Sequence, residues 1–369
     1  MTATTIIEGF TVLAVPENRS LRGPGTRGGD VFFNEQMAFN RDVGVMLLRA
    51  VGHAGMTVCD AMTATGARAA RIANEVPGTR VTANDINPAA MPYIEANIEL
   101  NRLADCRAVN RNMHSLLSEE SYDYVDIDPF GSPVPFIQSA IRGCRRQGIL
   151  AITATDTAPL AGAHAAKCRR RYRSEPVRGH LCHEGGLRIL MCTVAGELAK
   201  ADRGMKPLLS FYADHYFRTY VQVTEGAAAA DRTLDRLGYM SYDAATLERS
   251  FSRTCDGAHG LGPFWMGPLH DRGAVARMAA DGMAAERRCA KTLDIWNEEL
   301  DEAFHYDLSE LSSHLKLSPP KLGELIDALR EHGRASRTHV SPTAFKTDLT
   351  AAEVKSVYAS VSPGSVRRG

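Results

Sequence analysis

The sequence predicts an α/β protein: a doubly wound, mostly parallel sheet first, then a smaller C-terminal α/β domain. Three observations carry this. The 369 residues suit two domains at about 100–200 residues each. Between residues 56 and 156, short β-rich runs alternate with helix-like stretches of about 10–15 residues, the pattern of parallel βαβ units. Beyond Asp156 that alternation stops. We draw the division at 1–224 and 225–369, within a window of 200–226.

The elements follow in order. Residues 6–15 carry β-branched side chains around Gly9 and read as a strand pair or one bent strand. A Gly- and Arg-rich stretch, NRSLRGPGTRGGD, leads to VFFNEQMAFNRD and to VGVMLLRAV, which has helical spacing. MTVCDA (56–61) is a strand, ARAARIANEV (67–76) a helix, and RVTANDI (80–86) a strand. AAMPYIEANIELNRL (89–103) is helical and CRAVN (106–110) is strand-like. YDYVDID (122–128) alternates, VPFIQSAIRGC (134–144) is helical, and GILAITATD (148–156) is a buried strand.

After that, residues 157–183 read as irregular and basic, and 184–200 as a helix. Residues 207–224 read as two strands meeting near Asp214 and His215. Residues 225–304 predict a helix, a Gly-rich turn segment (CDGAHGLGPFWMGPLHD) and a helix around 277–303. Leu308, Leu311 and Leu315, then Leu322, Leu325, Ile326 and Leu329, mark two short amphipathic helices across Ser318-Pro319-Pro320. With the strand-like RTHV after them, they suit either a winged-helix layer or a plain helical pair.

Composition narrows the class. Charge balances at 43 Lys+Arg against 43 Asp+Glu, so no uniformly basic or acidic surface is expected. No run of about 18 apolar residues predicts a membrane span, and the N-terminus lacks the basic start of a signal peptide. Eight cysteines scattered without any C-x-x-C suit reduced thiols in a cytoplasmic protein. Nothing in the sequence marks an obligatory protein partner.

Three strand ends carry the chemistry. In DAMTATGARAARIANE (60–75), small residues lie between Asp60 and a helix, with Gly66 where a backbone must approach something closely. Ligands of open α/β sheets bind at such strand-to-helix turns, on backbone N–H groups. A plain turn would look similar, since this is not a full G-x-G-x-x-G. ANDINP then places Asp85 19 residues past Gly66, after the next strand. A carboxylate there suits vicinal ribose hydroxyls, in a nicotinamide or an S-adenosylmethionine site alike; a helix cap is the bland alternative. YVDIDPFGSP puts Asp128 at a strand's C-terminal edge before Pro129, Phe130 and Gly131. Such an Asp-Pro-aromatic loop resembles those of amino-group methyltransferases: carboxylate and carbonyl accept from an amine while the ring stacks on a base. A merely rigid turn would explain Pro129 and Gly131 but not Asp128. Phe32 and Phe33 could add a stacking wall or belong to the core.

Taken in order, VFFNEQMAFNRD, DAMTATGARAARIANE, NDINP, DIDPFGSP, TATDTAPL with CRRRY and HEGGLRIL, DHYFRTYV, GPFWMGPL and GRASRTHVSPTAFKTD resemble the tRNA (guanine-26, N2)-dimethyltransferases of the archaeal and eukaryotic kind, from about residue 30 to 350. The resemblance implies a class I, Rossmann-like, S-adenosylmethionine-dependent methyltransferase domain plus a C-terminal α/β domain that grips tRNA. It implies S-adenosyl-L-methionine as methyl donor and N2,N2-dimethylguanosine at tRNA position 26 as product. Arg41, Arg68, Asp85, Asn112 and Met113 would bind the donor; the family more often has Asp-Ala at the last two positions. Phe32 and Phe130 would flank the guanine, and Asp128 with the Pro129 carbonyl would hold the amine. Many members carry a cysteine cluster around GP-W-GP; here only Cys255, His259 and His270 lie nearby, and no zinc is expected.

From 142 to 188 there are ten Lys/Arg against three Asp/Glu, including Arg169, Arg170 and Arg171 beside Tyr172. This could contact RNA phosphates or be a solvated basic face. Two other functions remain open on residues alone: a nicotinamide oxidoreductase, and a non-catalytic tRNA-binding protein.

Overall fold

The computed structural model describes residues 3–20, 31–255 and 260–363. It opens on an antiparallel hairpin, β1 (Ala3–Glu8) and β2 (Thr11–Pro16), so residues 6–15 are a strand pair. Helix α1 (Ala38–Val51) precedes the alternating units: β3 (Thr57–Asp60), α2 (Ala67–Glu75), β4 (Arg80–Asn84), α3 (Met91–Leu100), β5 (Cys106–Val109), α4 (Met113–Glu119), β6 (Tyr122–Ile127), α5 (Val134–Gly143) and β7 (Cys144–Ala154). Then come α6 (Thr157–Leu160), α7 (Ala165–Tyr172), α8 (Cys182–Ala199) and the hairpin β8 (Arg203–Ala213) with β9 (Tyr216–Glu225).

These strands form one seven-stranded sheet in the order β5-β4-β3-β6-β7-β9-β8. Strands β3 to β7 run parallel, and β9 and β8 close one edge antiparallel. The order reverses at β3, whose neighbours are β4 and β6. Such a switch point opens a crevice at the carboxyl ends of the strands, where ligands of this architecture bind. Both faces are covered. Val58, Tyr124, Ile149 and Ala151 pack into one core, and their strand neighbours Cys59, Val125, Leu150 and Ile152 into the other. That alternation is the period of two of a strand buried on both sides.

The second half holds α9 (Ala227–Leu234), β10 (Leu237–Asp243), β11 (Glu248–Ser252), β12 (Leu261–Trp265), α10 (Arg272–Ala276), α11 (Glu286–Glu298), β13 (Tyr306–Asp307), α12 (Leu308–Leu315), α13 (Leu322–Arg330), β14 (Ala335–Arg337), β15 (Ala344–Thr347) and α14 (Ala351–Val361). Two three-stranded sheets form, β11-β10-β12 and β13-β15-β14. The two amphipathic helices therefore pack with a sheet rather than as a bare pair. Phe264, Trp265, Val275, Leu293 and Trp296 join the cores of the large sheet, whereas Leu308, Leu325, Phe345 and Tyr358 form a third.

Four local expectations change. Helix α4 is absent from the sequence reading, because seven residues are too few to show a period; its start is marked by Asn112, whose side chain accepts the His114 N–H. Residues 157–183 contain α6 and α7 rather than irregular chain alone. The Gly-rich turn segment contains β12, an edge strand on β10, where Pro263 is tolerated. The helix expected around 277–303 is shorter, α11 over Glu286–Glu298, and the separate short α10 lies just before that stretch.

Candidate functional site

A cleft of about 970 Å³ lies over the carboxyl ends of β3, β4 and β6. All nine residues singled out from the sequence line it: Phe32, Arg41, Arg68, Asp85, Asn112, Met113, Asp128, Pro129 and Phe130.

The turn after β3 forms its floor. Buried Asp60 accepts the Thr63 hydroxyl at 2.6 Å. Ala64 has φ 50° and Gly66 φ 79°, so the backbone takes left-handed conformations in the turn whose Thr63, Ala64 and Thr65 line the cleft. A Cβ on Gly66 would also sit 3.2 Å from the Ile94 backbone, so this glycine serves both the turn and the packing of α2 on α3. Asp85 ties the second strand's end to this turn: it accepts the Ala64 N–H and the Asn87 N–H, both at 2.8 Å. A carboxylate accepts about four hydrogen bonds, so lone pairs remain for a ligand's hydroxyls.

Asp128 stands at the end of β6, with the Arg68 Nη2 2.5 Å from its Oδ2. Arg68 also donates to Asn40 at 2.8 Å and lies 3.7 Å from Asp126. Beneath it, Arg218 forks onto both Asp126 oxygens at 3.0 and 2.5 Å, and Tyr124 donates to Asp126 at 2.7 Å. Two buried carboxylates thus share one cationic bed unequally. Burial raises the Asp126 carboxyl, but Arg218 and Arg68 outweigh it and hold it below its ordinary range. Burial and the neighbouring Asp126 charge push Asp60 up to about 7.

The Asp-Pro-Phe-Gly loop is stitched to the chain after β7. Gly131 N–H donates to Thr155 Oγ1 at 2.6 Å, and Thr155 N–H to the Gly131 carbonyl at 3.0 Å. Ser132 donates to Tyr172 Oη at 2.9 Å, and Tyr172 in turn to Asp156 at 2.5 Å. Phe130 is 51% exposed and meets Phe32 edge to face, centroids 4.8 Å apart at 78°. The two rings therefore touch, and a base enters between them only as one swings aside. Arg41 is held bidentately by Glu8 at 2.7 and 2.6 Å and lies over Phe33. Asn112 and Met113 open α4 on the far wall, next to His114 stacked on Phe136.

Sequence reasoning does not single out Asp60, Ile86, His114, Phe136, Thr155 or His215, which also line the cleft. Asp60 has a signal in its strand-end position. Ile86, Thr155 and His215 lie inside NDINP, TATDTAPL and DHYFRTYV without standing out in them, His114 and Phe136 lie on α4 and α5, and only folding brings these side chains together. Basic helix α7 abuts the loop through Tyr172. Its Arg169, Arg170 and Arg171 are exposed; Arg169 pairs with Glu175 and Arg171 with Asp156.

Of the residues weighed for zinc, His259 lies outside the described residues, Cys255 is exposed, and His270 is buried elsewhere. His270 joins Glu299 and His339, whose ligand-type atoms lie within 4.8 Å of one another. Lys346 Nζ is already 3.0 Å from Glu299, so this carboxylate has a buried counter-ion in place.

Comparison with known proteins agrees with the geometry. The profile of the N2,N2-dimethylguanosine tRNA methyltransferase family matches residues 13–359. The tRNA (guanine(26)-N(2))-dimethyltransferase of Pyrococcus furiosus is 40% identical, over 92% of this chain and 94% of its own. That of Methanoregula boonei is also 40% identical, with the same coverage. Among solved structures, Trm1 from Pyrococcus horikoshii in complex with S-adenosyl-L-methionine superposes with a TM-score of 0.88 at 35% identity, covering 96% of this chain and 99% of that one.

Proposed function

Because the chain belongs to the N2,N2-dimethylguanosine tRNA methyltransferase family, we infer that the cleft over β3, β4 and β6 is where its reaction takes place. The protein is an S-adenosylmethionine-dependent tRNA guanine-N2 methyltransferase, a tRNA (guanine(26)-N(2))-dimethyltransferase like its relatives. The residues present suit that donor. Asp85 offers acceptors for ribose hydroxyls, Asn112 and Met113 border the adenine side, and Arg68 and Arg41 supply positive charge for a carboxylate. The donor supplies an electrophilic methyl on a sulfonium.

The chain's own residues do the rest. The guanine leaves its stack, at a cost of roughly a few kcal/mol. Phe32 and Phe130 take its faces. Asp128 and the Pro129 carbonyl accept the two N2 hydrogens and turn the nitrogen towards the methyl. The N2 lone pair is delocalised into the ring; an anionic acceptor localises it and takes up the developing positive charge. The Arg68 contact fixes the orientation of the Asp128 carboxylate. One observation carries this reading: Asp128 faces the switch-point cleft between a clamped arginine and a half-exposed aromatic. A nicotinamide oxidoreductase has no use for that arrangement, and the family of this chain is not one. A non-catalytic tRNA binder has no need of Asp128.

Units 1–224 and 225–369 then divide the work: the sheet domain performs transfer and the C-terminal domain holds tRNA. Helix α7, beside the loop, contacts RNA phosphates. Among the described residues no helix is long and apolar enough to cross a membrane; a tRNA substrate and thiol-only cysteines favour the cytoplasm.

Replacing Asp128 by Asn tests the reading. The shape stays and the charge goes, so single-turnover transfer should fall about 10²–10³-fold. Donor and tRNA binding should change much less, because the interaction strengthens mainly in the transition state. Near-normal transfer would remove Asp128 from the mechanism.

A further inference from the structure

A dimethylating site must accept two different amines in turn. The first has two N–H bonds, which satisfy Asp128 and the Pro129 carbonyl. The second has one N–H bond and a methyl. In each round the N2–methyl bond forms as the sulfur–methyl bond breaks, sulfur keeps the bonding pair, and one N2 proton leaves to the Asp128 carboxylate. The single N–H of the monomethylated guanine must therefore face Asp128. The methyl then faces the Pro129 carbonyl, which loses its donor at a place largely shielded from water.

Thr155 is placed to meet that loss. Its Oγ1 already accepts the Gly131 N–H at 2.6 Å, so its own hydrogen is free to donate elsewhere. Among the described residues that hydrogen has one acceptor, the Pro129 carbonyl, at 3.5 Å. The backbone bond from Thr155 N–H to the Gly131 carbonyl fixes the hydroxyl against the loop. At 3.5 Å the interaction is too long to count for much, and it competes little with an amine hydrogen in the first round. It shortens into a full hydrogen bond once the carbonyl has no other donor. An unsatisfied buried acceptor is otherwise expensive.

We propose that Thr155 is a specificity-determining residue for the second methylation, donating its hydroxyl to the Pro129 carbonyl when the monomethylated guanine is bound. This rests on the assignment of Asp128 and Pro129 as the amine acceptors.

The test uses Thr155→Val, Thr155→Ala and Thr155→Ser in the full chain, with single-turnover transfer to unmodified and to N2-monomethylated tRNA followed by nucleoside analysis. In the Val variant the second round should slow about tenfold more than the first, the scale of one neutral hydrogen bond. N2-monomethylguanosine should then accumulate. Ser should keep the wild-type product ratio. Should Val fail to fold, Ala decides the matter, since it removes the hydroxyl without adding bulk. Equal slowing of both rounds, or a Ser variant that behaves as Val or Ala does, overturns the proposal and leaves Thr155 as a brace for Gly131. Failure of the underlying assignment shows separately, as near-normal total transfer by Asp128→Asn.

Discussion

Asp85 holds a turn together and, in the site we propose, serves a ligand as well. Its two oxygens each take a backbone N–H, from Ala64 and Asn87, and so pin the strained turn to the end of β4. The remaining lone pairs point to ribose hydroxyls in the proposed site. Charge-assisted hydrogen bonds of this kind contribute about 1.5–3 kcal/mol. Asp85→Ala should weaken S-adenosylmethionine binding by about that much in calorimetry. Unchanged affinity would take Asp85 out of the donor site. Such residues are legible because a strand-end acid at the right spacing from a small-residue turn is a local pattern. Thr155 is not legible: it stands one residue past β7 in TATD, and its importance comes from a loop 24 positions earlier in the chain.

At the scale of elements, α7 joins two tasks. Its outer side carries Arg169, Arg170 and Arg171, and its last residue, Tyr172, bonds Ser132 in the loop that follows Asp128. Phosphates docked on this helix would thus sit directly beside the base-holding loop. Arg170 has no ion-pair partner among the described residues, while Arg169 and Arg171 are shared with Glu175 and Asp156. The Arg169–Glu175 pair is exposed, and such pairs are weak and exchange readily for phosphate, whereas the Asp156 carboxylate that holds Arg171 is largely buried. Replacing all three with Ala should weaken tRNA binding and reduce the slope of log affinity against log salt. The reduction should reach up to about 0.9 for each duplex phosphate no longer neutralised. An unaltered slope would make the cluster a solvated face. The sequence shows the charge but not the helix, because three consecutive arginines occupy nearly a full turn and hide the apolar positions Cys168 and Tyr172.

Across the whole molecule, a buried ionic cluster joins the sheet domain to the C-terminal unit. Lys346 of β15 reaches Glu184 of α8 at 3.4 Å and Glu299, beyond α11, at 3.0 Å. Arg188 and His305 also bond Glu184, and His270 and His339 face Glu299. Burial alone would raise both carboxyls. Lys346 with Arg188 at Glu184, and His339 with Lys346 at Glu299, outweigh it and hold both well below the usual range. Depressed carboxyls stabilise the fold above their unfolded value, and that contribution is lost as pH falls through the lower folded values. Lys346→Met removes the cation that both buried carboxylates share, leaving Arg188 and His305 at Glu184 and only histidines at Glu299, so it should cost up to about 3–5 kcal/mol at neutral pH in urea unfolding. The gap from wild type should narrow below about pH 4.5, as the carboxylates become protonated in the variant. A loss under about 1 kcal/mol, or a gap that widens in acid, would mean that the cluster is not carried by Lys346.

What the sequence determined by itself was the strongly periodic elements and the acids at strand ends, while short elements such as α4, α6, α7 and β12 escaped it. Strand-helix alternation set the parallel sheet, since burial on both faces demands continuous apolar runs and crossover helices. Asp85 and Asp128 stood out as candidate site residues by their positions at strand ends, and the joint order of motifs marked the family. What only the tertiary structure decided was which distant charges share one dielectric environment. Arg218 meets Asp126 across 92 positions, and His305 meets Glu184 across 121. No spacing in the chain announces such pairs: a buried charge is held by whatever partner the packed cores deliver to it, and that delivery is set by how the sheet and its flanking layers close.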